Sequence, residues 1–130
     1  MDDIKPTDAR SIEITKAENR EVSGKAFTEY IIDIVDNDGK EYTIARRFSE
    51  FYSLYQLMKH NFQIKYEFPP KRLNKLNRDL VAMRQKSLQE FIKFLIVHPS
   101  PPVRKSYDLS RFLDQNNPVF SNKLIIKKLF

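Results

Sequence analysis

The sequence predicts an α+β fold, a three-stranded antiparallel β-sheet (a meander) packed against a helical subdomain of three to four helices. Three observations carry this. Two runs with strand-type alternation, "SIEITKAE" and "AFTEYIIDIV", come first. Asp38-Gly39 then separates the second run from a third, "EYTIARR". Asp-Gly between β-rich runs is a hairpin signal, because glycine accepts the positive φ of the tight turn. At Phe48 the apolar spacing changes from alternation to a helical stripe and stays helical. Strands first and helices afterwards is the segregated order of an α+β domain.

Residues 1–9, acidic and polar, read as a lead-in and not as a secretory signal. The first strand covers Ser11–Glu18, and "ENREVSGK" reads as a turn or exposed loop around Gly24. The second strand, Ala26–Val35, sets Tyr30, Ile32 and Ile34 on one face and Glu29 and Asp33 on the other. The third strand ends in Arg46-Arg47. Phe51, Leu54, Tyr55, Met58 and Phe62 then share one helical face, with Ser49 as the N-cap or in the first turn. Gln63–Asn77 is a connector stiffened by Pro69-Pro70. A longer helix runs from about Arg78 to Val97 on a stripe of Leu80, Leu88, Phe91 and Leu95, widened by Met83 and Ile92. "HPSPPVRKS" breaks it, and "YDLSRFLD" closes the core as a short helix.

The chain has 130 residues, enough for one domain with its own core. It has no cysteine, which removes disulfides and thiolate metal sites and suits an intracellular protein. No apolar run approaches the roughly 20 residues of a spanning helix. Lys+Arg exceeds Asp+Glu by 23 to 17, a net charge of +6 that favours anionic partners. Enzyme chemistry finds little support. His60 and His98 lack ligand-spaced neighbours, the acidic residues are scattered, and two glycines rule out phosphate-loop fingerprints. No catalytic residue, metal site or cofactor is expected. Nucleic acid is disfavoured as well, since the aromatics fall on core faces and not beside exposed cations.

Basic residues gather at three places. Arg46 and Arg47 stand where strand hands over to helix. Lys71 and Arg72 follow Pro69-Pro70. Arg84 lies on or beside the apolar stripe of the long helix, with Leu80 and Leu88 four residues to either side. A guanidinium there must snorkel outward or meet an anion. Convergence of these segments makes a groove for a polyanionic ligand. Neighbouring strand residues face opposite ways, so Arg46 and Arg47 are not expected to act as one clamp. Glu50 is expected in a structural salt bridge.

With the three strands, "RRFSEF", "FPPKRL", "MRQKSLQEFIKFLIVHP" and "LSRFL" in this order, residues 10–116 resemble the PX (phox homology) domain, a phosphoinositide-binding module found in sorting nexins and other proteins. The resemblance implies phosphatidylinositol 3-phosphate as ligand, peripheral attachment to endosomal membranes from the cytoplasm, and a role in protein transport. Carried over position by position, Arg47 holds the 3-phosphate, Phe48 floors the inositol ring, Lys71 meets the 1-phosphate and Arg84 bonds the 4- and 5-hydroxyls. Arg72, Leu73, Lys75 and Leu76 of the connector are then the membrane contacts. The connector is shorter than the family usually has and lacks its Pro-x-x-Pro. The alternative function is a protein-interaction module. "PSPPVR", residues 99–104, fits an SH3-ligand pattern, and anionic lipid would then be bound only weakly and without specificity. The tail, residues 117–130, ends in "KLIIKKLF" and is read as a packing segment, an interfacial helix or the start of a longer parent protein.

Overall fold

The structure is a computed structural model that describes residues 9–70, 78–118 and 120. Strands β1 (Ala9–Val22), β2 (Lys25–Asp36) and β3 (Glu41–Arg47) form an antiparallel sheet in the order β1-β2-β3. Helices α1 (Phe48–Phe62), α2 (Arg78–Ile96), α3 (Pro101–Arg104) and α4 (Tyr107–Leu113) follow. This is the expected α+β architecture.

Alternation decides the sheet's faces. Ile12, Ile14, Tyr30, Ile32, Ile34 and Ile44 are buried against the helices. They meet Phe51, Leu54 and Met58 of α1, Leu88, Phe91 and Leu95 of α2, and Phe112 of α4 in one cluster. Burying one such side chain is worth about 1.5–3 kcal/mol, so this cluster is what holds helices to sheet. The Asp-Gly hairpin forms as predicted. Gly39 has φ +82°, and the Asp36 carboxylate accepts from the amides of Asp38 and Lys40 at 2.9 Å each.

Several expectations are corrected. Residues 19–22, read as loop, extend β1 to Val22, and the turn contracts to Ser23-Gly24, both at positive φ. No apolar alternation marks that extension. Polar cross-strand pairs hold it instead, with Thr28 Oγ1 donating to Asn19 Oδ1 at 2.9 Å and Arg20 paired with Glu29. Of the two places read for Ser49, the structure has the first turn, and Arg47 is the N-cap of α1. Met83, expected to widen the core stripe, is 60% exposed. "HPSPPVRKS" does break the long helix, which ends at Ile96, but within it Pro101–Arg104 form a helical turn with Val103 buried, so this part of "PSPPVR" is not in the extended form that SH3 domains bind. Arg104 donates to the His98 carbonyl at 2.6 Å and closes that corner.

The free edge of β1 is covered by side chains of α2. Gln89 accepts from the Ile14 amide and donates to the Ile12 carbonyl at 2.9 Å; Gln85 donates to the Ile14 carbonyl at 3.2 Å. These bonds supply what a fourth strand would and dock α2 along β1. An open groove of about 830 Å³ runs beside them, with Glu13, Lys86 and Lys93 among its lining residues.

Candidate functional site

The two arginines at the β3–α1 junction part company. In the β2–β3 register Arg46 is opposite Tyr30, on the core face, and Arg47 is opposite Glu29, on the outer face. Arg46 is 2% exposed. Its guanidinium donates to the carbonyls of Phe112 (2.9 Å), Asp114 (3.3 Å), Asn117 (2.7 Å) and Ala45 (2.9 Å). Burial pulls its pKa down, while the charges of Glu50 and Asp114 pull it back up. Arg46 therefore supports the fold, and does so through backbone carbonyls.

Arg47 is exposed, and its guanidinium lies over the Phe27 ring, 4.2 Å from the centroid. Among the described residues no carboxylate is within ion-pair distance of it. Its backbone is fixed more firmly than its side chain. At φ −88° and ψ 160° it makes the strand-to-helix turn, and its amide donates to Glu50 Oε1 at 2.8 Å. Glu50 Oε2 accepts from the Phe120 amide at 2.6 Å. Glu50, expected in a salt bridge, thus caps α1 through backbone amides. Burial holds its carboxyl above the usual carboxylate range, with the two amides and both arginines pulling the other way.

Arg84 is buried, at 3% exposure. Its guanidinium is stacked on Phe48, 3.7 Å from the ring centroid, a cation–π contact that lets a cation sit in an apolar stripe. Tyr30 feels the same charge. Burial pushes its hydroxyl pKa up and Arg84 opposes that rise. Phe48 is wedged further by Tyr52 and Phe68, at 6.5 and 5.7 Å between centroids. Phe68 stacks on Tyr55 at 4.8 Å and meets Phe91 edge-on at 5.0 Å. That aromatic cluster brings the connector beside Phe48 just before Pro69-Pro70.

Arg47, Phe48 and Arg84 are therefore brought together around one cleft of about 100 Å³, which Phe27, Thr28, Tyr30 and Ser49 complete. Lys71, Arg72, Leu73, Lys75 and Leu76 lie outside the described residues. Sequence reasoning missed Phe27, although a signal was present: it shares parity with Glu29 and Asp33, so an aromatic stands on the polar face of β2. The cleft sets the exposed guanidinium of Arg47 beside the Phe48–Arg84 stack, an arrangement that favours an anion. Among the described residues no group of acidic, histidine or cysteine side chains is placed to hold a metal, and no helix is long and apolar enough to cross a membrane.

The family model for the PX domain matches residues 35–116. A probable serine/threonine-protein kinase of Dictyostelium discoideum is 33% identical over 103 residues, 75% of this chain and 5% of that protein. The serine/threonine-protein kinase Sgk3 of Rattus norvegicus is 28% identical over 111 residues, 83% of this chain and 22% of the kinase. Sorting nexin-8 of Bos taurus is 29% identical over 83 residues, 62% of this chain and 18% of the relative. The chain thus spans between 5% and 22% of the length of these relatives. The X-ray structure of a designed CISK-PX domain superposes with a TM-score of 0.71 at 23% identity, covering 80% of this chain and 98% of that one, and so shares the fold.

Proposed function

The chain belongs to the PX domain family, and on that premise we propose that it binds phosphatidylinositol 3-phosphate and recruits its parent protein to endosomal membranes. A PX domain is a lipid-binding module and not a catalytic one; it recognises phosphoinositides and associates with membranes peripherally. The observation that carries the finer reading is Arg47, a cation exposed beside Phe48 and Arg84 and without an ion pair among the described residues.

A phosphomonoester carries close to two negative charges, and a guanidinium meets it with a planar fork. Arg47 takes the 3-phosphate in this reading. Phe48 and Arg84, already in contact, act as one unit toward the inositol ring, Phe48 through its face and Arg84 through hydrogen bonds to the 4- and 5-hydroxyls. An arginine committed to those hydroxyls leaves no partner for a 5-phosphate, which favours the singly phosphorylated ring. Lys71 is assigned to the 1-phosphate and Arg72, Leu73, Lys75 and Leu76 to the membrane. A basic residue near anionic lipid adds about 1 kcal/mol, so headgroup and bilayer together set the affinity.

The test is a liposome panel. Wild-type protein is expected on vesicles containing phosphatidylinositol 3-phosphate and not on those with phosphatidylinositol alone. Arg47→Ala is expected to abolish that preference with thermal stability unchanged, and Phe48→Ala to reduce both. Equal binding of wild type and Arg47→Ala to every anionic vesicle would reduce the site to a basic patch.

A further inference from the structure

We propose that Arg20 is a positioning residue of the phosphate site, holding Glu29 so that Arg47 stays available to a phosphomonoester; the inference rests on the headgroup reading above.

Glu29 is the cross-strand partner of Arg47. Residues directly opposite each other on adjacent strands share a face with Cβ atoms about 4.5–5.5 Å apart, and an acid opposite a base there ordinarily pairs. This pair has not formed. Glu29 Oε1 is joined instead to Arg20 Nε, from the far side of β2, and Arg47 rests on Phe27. Glu29 has a second neighbour of interest, since Glu18 is its partner on β1. Like charges directly opposite repel. Arg20 lies between the two carboxylates, reaching Glu18 at 3.4 Å as well, while Lys16 holds Glu18 at 3.0 Å.

Without Arg20, Glu29 faces a like charge on one strand and Arg47 on the other. Its carboxylate then turns to Arg47. That does two things to an incoming phosphate: it occupies the guanidinium fork, and it sets a negative charge at the site. Arg20 is not needed to keep the hairpin in register, because Thr28 and Asn19 are joined beside it and the backbone ladder runs on to Val22–Lys25. Its effect on binding passes through Glu29.

The experiment titrates soluble inositol 1,3-bisphosphate into wild type and four variants by calorimetry. Arg20→Ala is expected to weaken binding roughly threefold to fivefold, the scale of an exposed ion pair. Arg20→Ala with Glu29→Gln is expected to restore wild-type affinity. Arg20→Ala with Glu21→Gln has the same net charge and removes an exposed acid at the hairpin tip, so it stays weakened. Arg20→Lys keeps part of the affinity. Wild-type affinity in Arg20→Ala overturns the inference alone, as does equal rescue by Glu21→Gln, which reduces the effect to overall charge. Absence of binding by the wild type overturns the headgroup reading and this inference with it.

Discussion

Arg46 and Arg47 are identical in chemistry and opposite in task, and their separation was legible because strand parity alone sends them to different faces. The partners of Arg46 were not legible, since its acceptors at Phe112, Asp114 and Asn117 are 66 to 71 positions away and are backbone atoms that carry no sequence signature. Glu50 was misread for a related reason. A glutamate beside two arginines suggests an ion pair, yet its two oxygens accept from the amides of Arg47 and Phe120. Its titration gives a prediction whose sign can be worked out. Burial raises its pKa in the folded state above the ordinary value. Its contribution to stability is therefore fully present below the ordinary carboxylate range and is lost as pH rises through the raised value. Glu50→Gln removes that titration and also turns an amide N–H against one buried donor, which costs about 1–3 kcal/mol. Unfolding free energies of both proteins from pH 4 to 7 are expected to show the wild type's advantage shrinking as pH rises. A constant difference across that range would place the linkage elsewhere.

Among the elements, those with apolar periodicity were read well and those held by polar contacts were not. β2, β3, α1 and α2 follow their stripes to within a residue or two. The outer half of β1 has no stripe, and only its partners on β2 make it a strand. The edge of β1 shows the same dependence. Gln85 and Gln89 sit one turn apart on α2, a spacing ordinary for a solvated face, and their three bonds to the Ile12 and Ile14 backbone emerge only once α2 lies along β1. An exposed strand edge invites pairing with other chains, so these side chains also block that edge. The double variant Gln85→Ala/Gln89→Ala is expected to lose about 2–3 kcal/mol, near 1 kcal/mol per bond, in chemical denaturation. Hydrogen exchange at the Ile14 amide is expected to accelerate more than at Ile32 in the central strand. Equal protection at both amides would mean that packing of α2, and not its glutamines, secures the edge.

At the scale of the whole molecule, the core does not stop where the family match does. The match ends at residue 116, yet Phe120 is 1% exposed. Its ring lies 5.3 Å from Phe112 and under the Arg111 guanidinium at 4.5 Å, and its amide is held by Glu50. Arg46 grips the same stretch at Asn117. Arg46 and Glu50, just before Arg47 and three residues after it, thus fasten the end of the described chain to the junction that presents Arg47. Sequence reading left residues 117–130 open because "NPVF" offers one aromatic and no period, so its burial depends on a slot built by distant residues. Phe120→Ala is expected to cost about 3–5 kcal/mol, the range for a buried phenylalanine. A chain ended after residue 116 loses that ring and the Asn117 carbonyl, and its melting temperature is expected to fall by roughly 10 °C or more. An unchanged melting temperature would show that the segment is only laid on the surface. If the fall is found, weak lipid binding by such a shortened chain reports the unfolding of the β3–α1 junction and says nothing against Arg47, so headgroup affinities are to be compared only among chains that keep Phe120.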